Sequence, residues 1–417
     1  MNYFLLPQAY PFTYRRINYY TSEEESKEYF LALSQSLSKY LYEIKEKIKQ
    51  FDQEWDTYKE YTNPYEYIHT QAPTLKHSVS TYNPLSRSYY KMVELLKHFD
   101  LLKQFPENEP ISSFHLAEGP GGFIEALANL RKTENKQVSL QDRYIGMTLL
   151  DESDRTIPSW KKSQIFMRNN PTVTIENGQD GTGNLLSVHN FIHCVQKYGS
   201  SMHLMTGDGG FDFSENFNLQ EAKILPLLYA QIAYAVCMQR KGGHFILKMF
   251  DSFMEASVDL IYLLSSFYQR TFVTKPQTSR YANSERYIVC MGFHFDNYAD
   301  YYPYILSTFT KMHITPVAIP LKRFFNFALP YYFLNRLEES NTVIGMNQID
   351  NIYTTIMLME NKNTKKAKIE QLTKMNIAKC IQWCLHHSIP ILPSLSSSLT
   401  SENMAKNNGY YSNMKSI

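Results

Sequence analysis

The sequence predicts an α/β protein, a parallel β-sheet with helices on both faces and a ligand crevice at the carboxyl ends of its strands. Three observations carry that expectation. Strand-like and helix-like hydrophobic patterns alternate from about Ser86 to Phe295. A glycine-rich turn, Glu118-Gly119-Pro120-Gly121-Gly122, ends the first apolar run and opens a helical one. Isolated polar residues stand at the ends of otherwise apolar strands, where ligands of such sheets bind.

Taken in order, Ser22 to about Tyr61 is charged and helix-forming, with Tyr29, Leu31, Leu33, Leu37, Leu41 and Ile44 as its apolar stripe. Such a stripe fits packing against the rest of the chain better than a partner-binding face. "TNPYEYIHTQAPTLKHSVSTYNPLSRS" is a connector, with a boundary near Pro73. A helix then begins near Ser86, burying Met92, Leu95, Leu96 and Phe99.

Strands are expected at Phe114–Ala117, Tyr144–Leu149, His203–Gly207, His244–Met249, Arg270–Lys275 and Arg286–Phe293. Helices are expected at Leu219–Gln239 and Met254–Tyr268. Beyond Phe295 the pattern becomes one of short helices and connectors, and the last stretch, "SLSSSLTSENMAKNNGYYSNMKSI", is polar and expected to be mobile. The expected division is therefore a helical region over 1–75, the sheet domain over 76–295 and a mostly helical region over 296–417.

Composition narrows the function classes. The 42 basic and 40 acidic side chains nearly cancel, leaving a net charge of +2, so any surface for an anionic partner must be local. Five cysteines at scattered positions point to a reducing compartment. The opening "MNYFLLPQAYPFTYRR" has no basic leader, and no window is long and apolar enough for a membrane span. A soluble intracellular protein is expected.

Asp208 ends the run "HLMTGD", Lys248 interrupts "GGHFILKMF", and Glu285 stands before the last strand in "KPQTSRYANSERYIVCMGF". Singly, each has an ordinary explanation, such as a turn aspartate or a lysine whose amine reaches solvent. Together they converge on one crevice. Lys91, on the helix "LSRSYYKMVELLKHFDLL", lies at the edge of that helix's buried stripe.

Lys91, Asp208, Lys248 and Glu285, in that order, resemble the Lys-Asp-Lys-Glu tetrad of FtsJ-type RNA ribose 2′-O-methyltransferases, and the glycine turn resembles their S-adenosylmethionine loop. "DGGFD" with "NLQEA", "GGHFILKMFDSF" and "KPQTSRYANSERYIVC" are closest to the mRNA-cap branch of that family. "HLAEGPGGF" and "GQDGTGN" lean towards the members that modify the second transcribed nucleotide. The chain as a whole also resembles the FtsJ-like methyltransferases of cytoplasmic DNA viruses.

The resemblance implies a Rossmann-like, S-adenosylmethionine-dependent methyltransferase sheet and a viral protein of the host cytoplasm or virion. It implies Lys248 as general base, oriented by Asp208, with Lys91 and Glu285 holding the amine and the ribose. It implies cofactor contacts from Glu118, Gly119, Pro120, Gly121, Gly122, Phe123, Asn184, Leu185 and Asp208, with Asp180 a further candidate, and with backbone amides at the helix start receiving the methionine carboxylate. Thr148, with Asp151 after it, stands where many relatives carry an acid for the cofactor ribose.

RNA, in particular a capped mRNA 5′ end, is the expected partner, with Arg87, Lys275, Arg280 and Arg286 on its phosphates. Capping or transcription machinery is a further possible partner for the flanking regions. Two alternatives stand beside this reading, an rRNA- or tRNA-type ribose methyltransferase and a scaffold that keeps the fold without turnover. "CIQWCLHH" places Cys380, Cys384, His386 and His387 close together but has no second ligand pair at a usual zinc spacing, so no structural metal is expected. Lys362, Lys365, Lys366 and Lys368 fit a solvated surface.

Overall fold

Ten short apolar or alternating segments become strands in the computed structural model, which describes residues 1–21, 33–150, 159–210, 217–315, 321–361 and 365–395. The strands are β1 (Tyr3–Leu6), β2 (Tyr20–Thr21), β3 (Ser112–Leu116), β4 (Arg143–Met147), β5 (Val173–Ile175), β6 (Met202–Gly207), β7 (Gln239–Met249), β8 (Tyr268–Thr274), β9 (Arg286–Phe293) and β10 (Leu321–Arg323). Eight form one sheet in the order β1-β8-β9-β7-β6-β3-β4-β5, while β2 and β10 pair separately.

β3 to β7 pair in parallel, as expected. The sheet as a whole is mixed, and this corrects the all-parallel expectation. β9 runs antiparallel to both β7 and β8, and β1 runs antiparallel to β8. The cause is the connection: residues 275–285 contain no helix, so β9 has no crossover to carry it back and returns beside β8 in the opposite direction.

Every residue of β9 is buried, as a strand covered on both faces must be. The helix Gln220–Met238 is apolar almost all round and correspondingly buried, packed by the helices Val188–Tyr198, Glu255–Phe267 and Tyr302–Ile314. The helices Ser88–His98 and Gly122–Glu134 pack on one another. Among the described residues, no helix is long and apolar enough to cross a membrane.

The chain forms two compact units whose limits differ from the expected ones. The first comprises Met1–Gln50 and Leu85–Asp350. The first fifty residues of the N-terminal region join it, with β1 added to the sheet edge, Tyr3 opposite Thr274 and Leu6 opposite Thr271. The chain beyond 295 joins it as far as Asp350, held where buried Asp259 accepts bonds from the backbone N–H groups of Phe324 and Phe325, at 2.8 and 3.1 Å. The stripe residues Leu33, Leu41 and Ile44 are buried. Tyr29 and Leu31 lie outside the described residues.

The second unit comprises Phe51–Pro84 and the described residues from Asn351 onwards. Asn376 donates to the carbonyl of Tyr61 at 2.8 Å, and the hydroxyls of Thr62 and Thr355 are 2.7 Å apart. Cys380 and Cys384 are buried along the helix Lys365–His386. The polar tail, Lys362 and the end of the Ser-rich run lie outside the described residues.

Candidate active site

The reversal of β9 decides the geometry of the site. Met249 of β7 pairs with Arg286 and Lys248 with Tyr287, so the beginning of β9 lies at the same sheet edge as the carboxyl ends of the parallel strands. Glu285 therefore meets residues that follow β6 and end β7. Asp208 comes directly after Gly207, and its N–H donates to the Leu116 carbonyl at 3.2 Å. Lys91 reaches the same edge from the helix Ser88–His98.

The four residues form two ion pairs. Lys248 Nζ donates to the Asp208 carbonyl at 2.6 Å and lies 3.1 Å from Asp208 Oδ1. Lys91 Nζ lies 2.7 Å from Glu285 Oε1 and donates to Oε2 at 2.8 Å. The side chains of Lys248 and Asp208 are 13% and 14% exposed, which screens the pair from bulk water yet leaves it open to a ligand. Tyr287 Oη donates to Asp208 Oδ1 at 3.2 Å and Ser279 Oγ to Glu285 Oε1 at 2.7 Å, fixing both carboxylates.

Burial pushes the Glu285 carboxyl upward, but Lys91, Lys248 and Lys275 outweigh it and hold the group at about 2. Lys275 moves the other way. Burial lowers its ammonium to about 7, against the pull of Glu285 and with the help of Arg286 and Lys91. The Tyr287 hydroxyl is pushed well up by burial and by Asp208 and Glu285.

The glycine turn is shaped by its own neighbours. Gly121 has φ +103°, a left-handed conformation that disfavours a side chain. A Cβ on Gly119 would fall 2.6 Å from the Ser159 carbonyl oxygen. Two amides of the helix start, those of Phe123 and Ile124, are already taken. Buried Glu118 folds back and accepts from the N–H groups of Phe123 and Ile124, at 2.5 and 3.4 Å. Burial raises the Glu118 carboxyl well above its usual range; these bonds and Lys248 oppose that rise, and Asp208 adds to it.

Asn184 and Leu185 lie on a loop attached to the end of β4, where Leu150 N–H donates to the Thr182 carbonyl at 2.7 Å. Leu185 is buried in the main core. Asp180 braces that loop. Burial pushes its carboxyl up, but bonds from Thr182 and Asn190 hold it at about 2. Asp151 lies outside the described residues.

The expected phosphate contacts divide. Arg87 and Arg280 are half-buried, and Arg87 donates to the Thr278 carbonyl at 3.2 Å. Lys275 is half-buried and donates to the carbonyls of Asn283 and Glu285 at 2.6 and 2.7 Å, clamping the loop that carries Glu285. Arg286 is fully buried, which corrects its expected place on a phosphate, because its guanidinium binds Asp251 at 3.2 Å and Asn341 at 2.6 Å.

Residues 84–293, half of the chain, match the FtsJ-like methyltransferase family. The chain belongs to that family. Among similar proteins, the cap-specific mRNA (nucleoside-2'-O-)-methyltransferase 2 of Pongo abelii is 31% identical over 71% of this chain and 38% of its own length. The protein of the same name from Drosophila melanogaster is 26% identical over 67% of this chain and 40% of its own. The cap-specific mRNA (nucleoside-2'-O-)-methyltransferase 1 of Danio rerio is 34% identical over 50% of this chain and 26% of its own. The chain thus spans about two fifths of the length of the first two curated relatives. As an FtsJ-like methyltransferase, it carries the matched region in the sheet unit.

The residues around the tetrad were not all foreseen. Tyr287 follows Glu285 in a run that looks purely structural. Lys45 falls four residues after Leu41 and three before Ile48 on a buried helix face, and that spacing is the signal that marks it. Nothing in the sequence marks Asn341.

Proposed function

We propose that this FtsJ-like chain transfers a methyl group from S-adenosylmethionine to the ribose 2′-oxygen of a cap-proximal nucleotide of mRNA. The observation that carries the proposal is the convergence of the Lys91–Glu285 and Lys248–Asp208 pairs at one sheet edge, beside the glycine turn. The cap specificity rests on the names of the similar proteins.

The acidic residues fit the cofactor. Burial, with Asp208 adding to it, raises the Glu118 carboxyl, so a cationic ligand beside it would offset the cost of its charge. Glu118 and Asp208 would hold the cofactor's positive groups, with Gly119, Pro120, Gly121, Gly122 and Phe123 lining the turn and Asn184 and Leu185 the adjoining loop. When bound, S-adenosylmethionine supplies an electrophilic methyl group on a sulfonium.

A ribose hydroxyl is a weak nucleophile at neutral pH and needs a positioned base and a positive field. Lys248 is the proposed acceptor of the hydroxyl proton, and Asp208 holds its Nζ in place through both carbonyl and carboxylate. Lys91 supplies positive charge where the alkoxide develops. Glu285 orients Lys91 and keeps its own charge throughout. Arg87, Arg280 and Lys275 are the proposed phosphate contacts.

Five buried cysteines, none of them in a disulfide among the described residues, fit the proposed reducing compartment, and a host cytoplasm is part of the same reading. Capping or transcription machinery is the proposed partner of the regions outside the family match. Incubation with methyl-labelled cofactor and RNA tests the function. Label on a ribose 2′-oxygen of capped RNA is expected. Equal labelling of uncapped RNA would overturn the cap assignment, and label on a base would overturn the chemistry.

A further inference from the structure

Behind the candidate site lies a buried chain of charges that the proposed reaction does not itself use. Lys45 Nζ lies 2.9 Å from Asp251 Oδ2, and Arg286 Nη2 lies 3.2 Å from Asp251 Oδ1, so each carboxylate oxygen faces its own cation. Arg286 Nη1 donates to Asn341 Oδ1 at 2.6 Å, and Nε donates to the Ser284 carbonyl at 3.3 Å. Asn341 Nδ2 in turn donates to the Ser252 carbonyl at 2.9 Å. Lys45 and Asp251 are each 8% exposed at the side chain and Arg286 is fully buried, so little water is available to replace a lost partner.

The location matters more than the pairing. Asp251 lies just beyond β7, three residues after Lys248, and Arg286 is the neighbour of Glu285 on β9. Arg286 is also the β-ladder partner of Met249, next to Lys248. The network therefore grips the backbone on both sides of the two strands that present Lys248 and Glu285. Its outer members come from elsewhere. Lys45 belongs to the helix Gln35–Ile48 and Asn341 to the helix Tyr331–Glu360, both outside residues 84–293.

We propose that Lys45 and Asn341 are positioning residues for methyl transfer, acting from outside the family-matched region through Asp251 and Arg286 on Glu285. The inference rests on the proposed function. Lys45 occupies one oxygen of Asp251 and thereby sets the carboxylate's rotation. Without Lys45, both oxygens turn to Arg286, which is drawn away from the Ser284 carbonyl and from Asn341. The backbone at Ser284–Glu285 then loses its anchor, and the Lys91–Glu285 pair drifts relative to Lys248. Sub-ångström displacements of this kind affect turnover more than binding.

The full chain carries the test, with Lys45→Met, Lys45→Arg and Asn341→Ala measured well below each variant's melting temperature. Lys45→Met and Asn341→Ala should each lower kcat roughly tenfold while the cofactor Kd stays within about twofold, and Lys45→Arg should restore most of the loss. In a Glu285→Gln background, measured on its residual turnover, Lys45→Met should cost less than about twofold, since the group it positions is already gone. A merely structural role lowers the melting temperature but does not create that dependence on Glu285.

Unchanged kcat in both variants, or an equal loss with and without Glu285, overturns the proposal. If Lys45→Met does not fold, Asn341→Ala decides in the same way from the other side of Arg286. Absence of transfer by the unsubstituted protein would count against the function itself, and this inference would fall with it.

Discussion

Lys91 and Glu285, 194 residues apart in the chain, form a two-pronged ion pair in which the Lys91 amine touches both oxygens of the Glu285 carboxylate. Its function is proposed to be shared, with the carboxylate holding the amine and the amine supplying charge. Glu285→Gln and Lys91→Met should each lower kcat by about a hundredfold, and the double variant should be little worse than the poorer single one. Additive losses in steady-state kinetics would show that the two residues act separately.

The same pair has a pH signature. Glu285 is depressed from 4.5 to about 2 in the folded chain, so its contribution to stability is complete above 4.5 and is lost as pH falls towards 2. In denaturant titrations, Glu285→Gln should therefore cost stability near neutrality and progressively less in acid. A constant cost across that range would mean that the charge of Glu285 is not what the fold uses.

Lys248→Ala should abolish methyl transfer with little change in cofactor affinity, because a base acts in the transition state. Lys248→Arg is the sharper substitution, since a guanidinium keeps the charge but does not release a proton at accessible pH. Inactivity of both variants in single-turnover assays is expected. Substantial turnover by the arginine variant would assign this position to charge stabilisation.

Glu118 provides a test of the cofactor site that needs no turnover. Burial raises its carboxyl, whereas a bound cation favours the ionised form. Affinity for S-adenosylmethionine should therefore increase with pH as Glu118 ionises. Glu118→Gln keeps an acceptor for the Phe123 N–H and should bind more weakly, without that pH dependence. Calorimetry at several pH values checks both expectations.

His115 is buried between Ser113 and Thr206, and burial lowers its imidazole from 6.5 to about 3. The unfolded chain thus takes up a proton that the folded chain refuses, and stability should decline as pH falls from 6.5 towards 3. His115→Gln should flatten that decline in thermal melts. An unchanged slope would show that His115 is not a source of acid sensitivity.

The elements of the sheet domain were legible in the sequence because each leaves a local trace. β9 is where its apolar run placed it, and the helices Gln220–Met238 and Glu255–Phe267 lie within a residue or so of their expected limits. Asp208, Lys248 and Glu285 stood out because polar residues at the ends of apolar strands have few purely structural uses. β1 and β5 left almost no trace, since four and three residues are too few to show a period. Arg286 was misjudged for a related reason: a cation at the head of a strand looks the same whether it meets solvent or a buried carboxylate.

By itself, the sequence determined which segments become strands and helices, where the glycine turn falls and which polar residues end the strands. Hydrophobic period and turn chemistry act over a few neighbouring residues, and the chain carries them openly. Only the tertiary structure decided that β9 runs backwards, that Glu118 takes helix-start amides for itself and that Arg286 belongs to Asp251. It also decided that Lys45, 206 residues from Asp251, completes that buried pair. Such partnerships are chosen by burial, which forces each charge to find an opposite one wherever the fold brings it, and no local pattern in the chain records which one that will be.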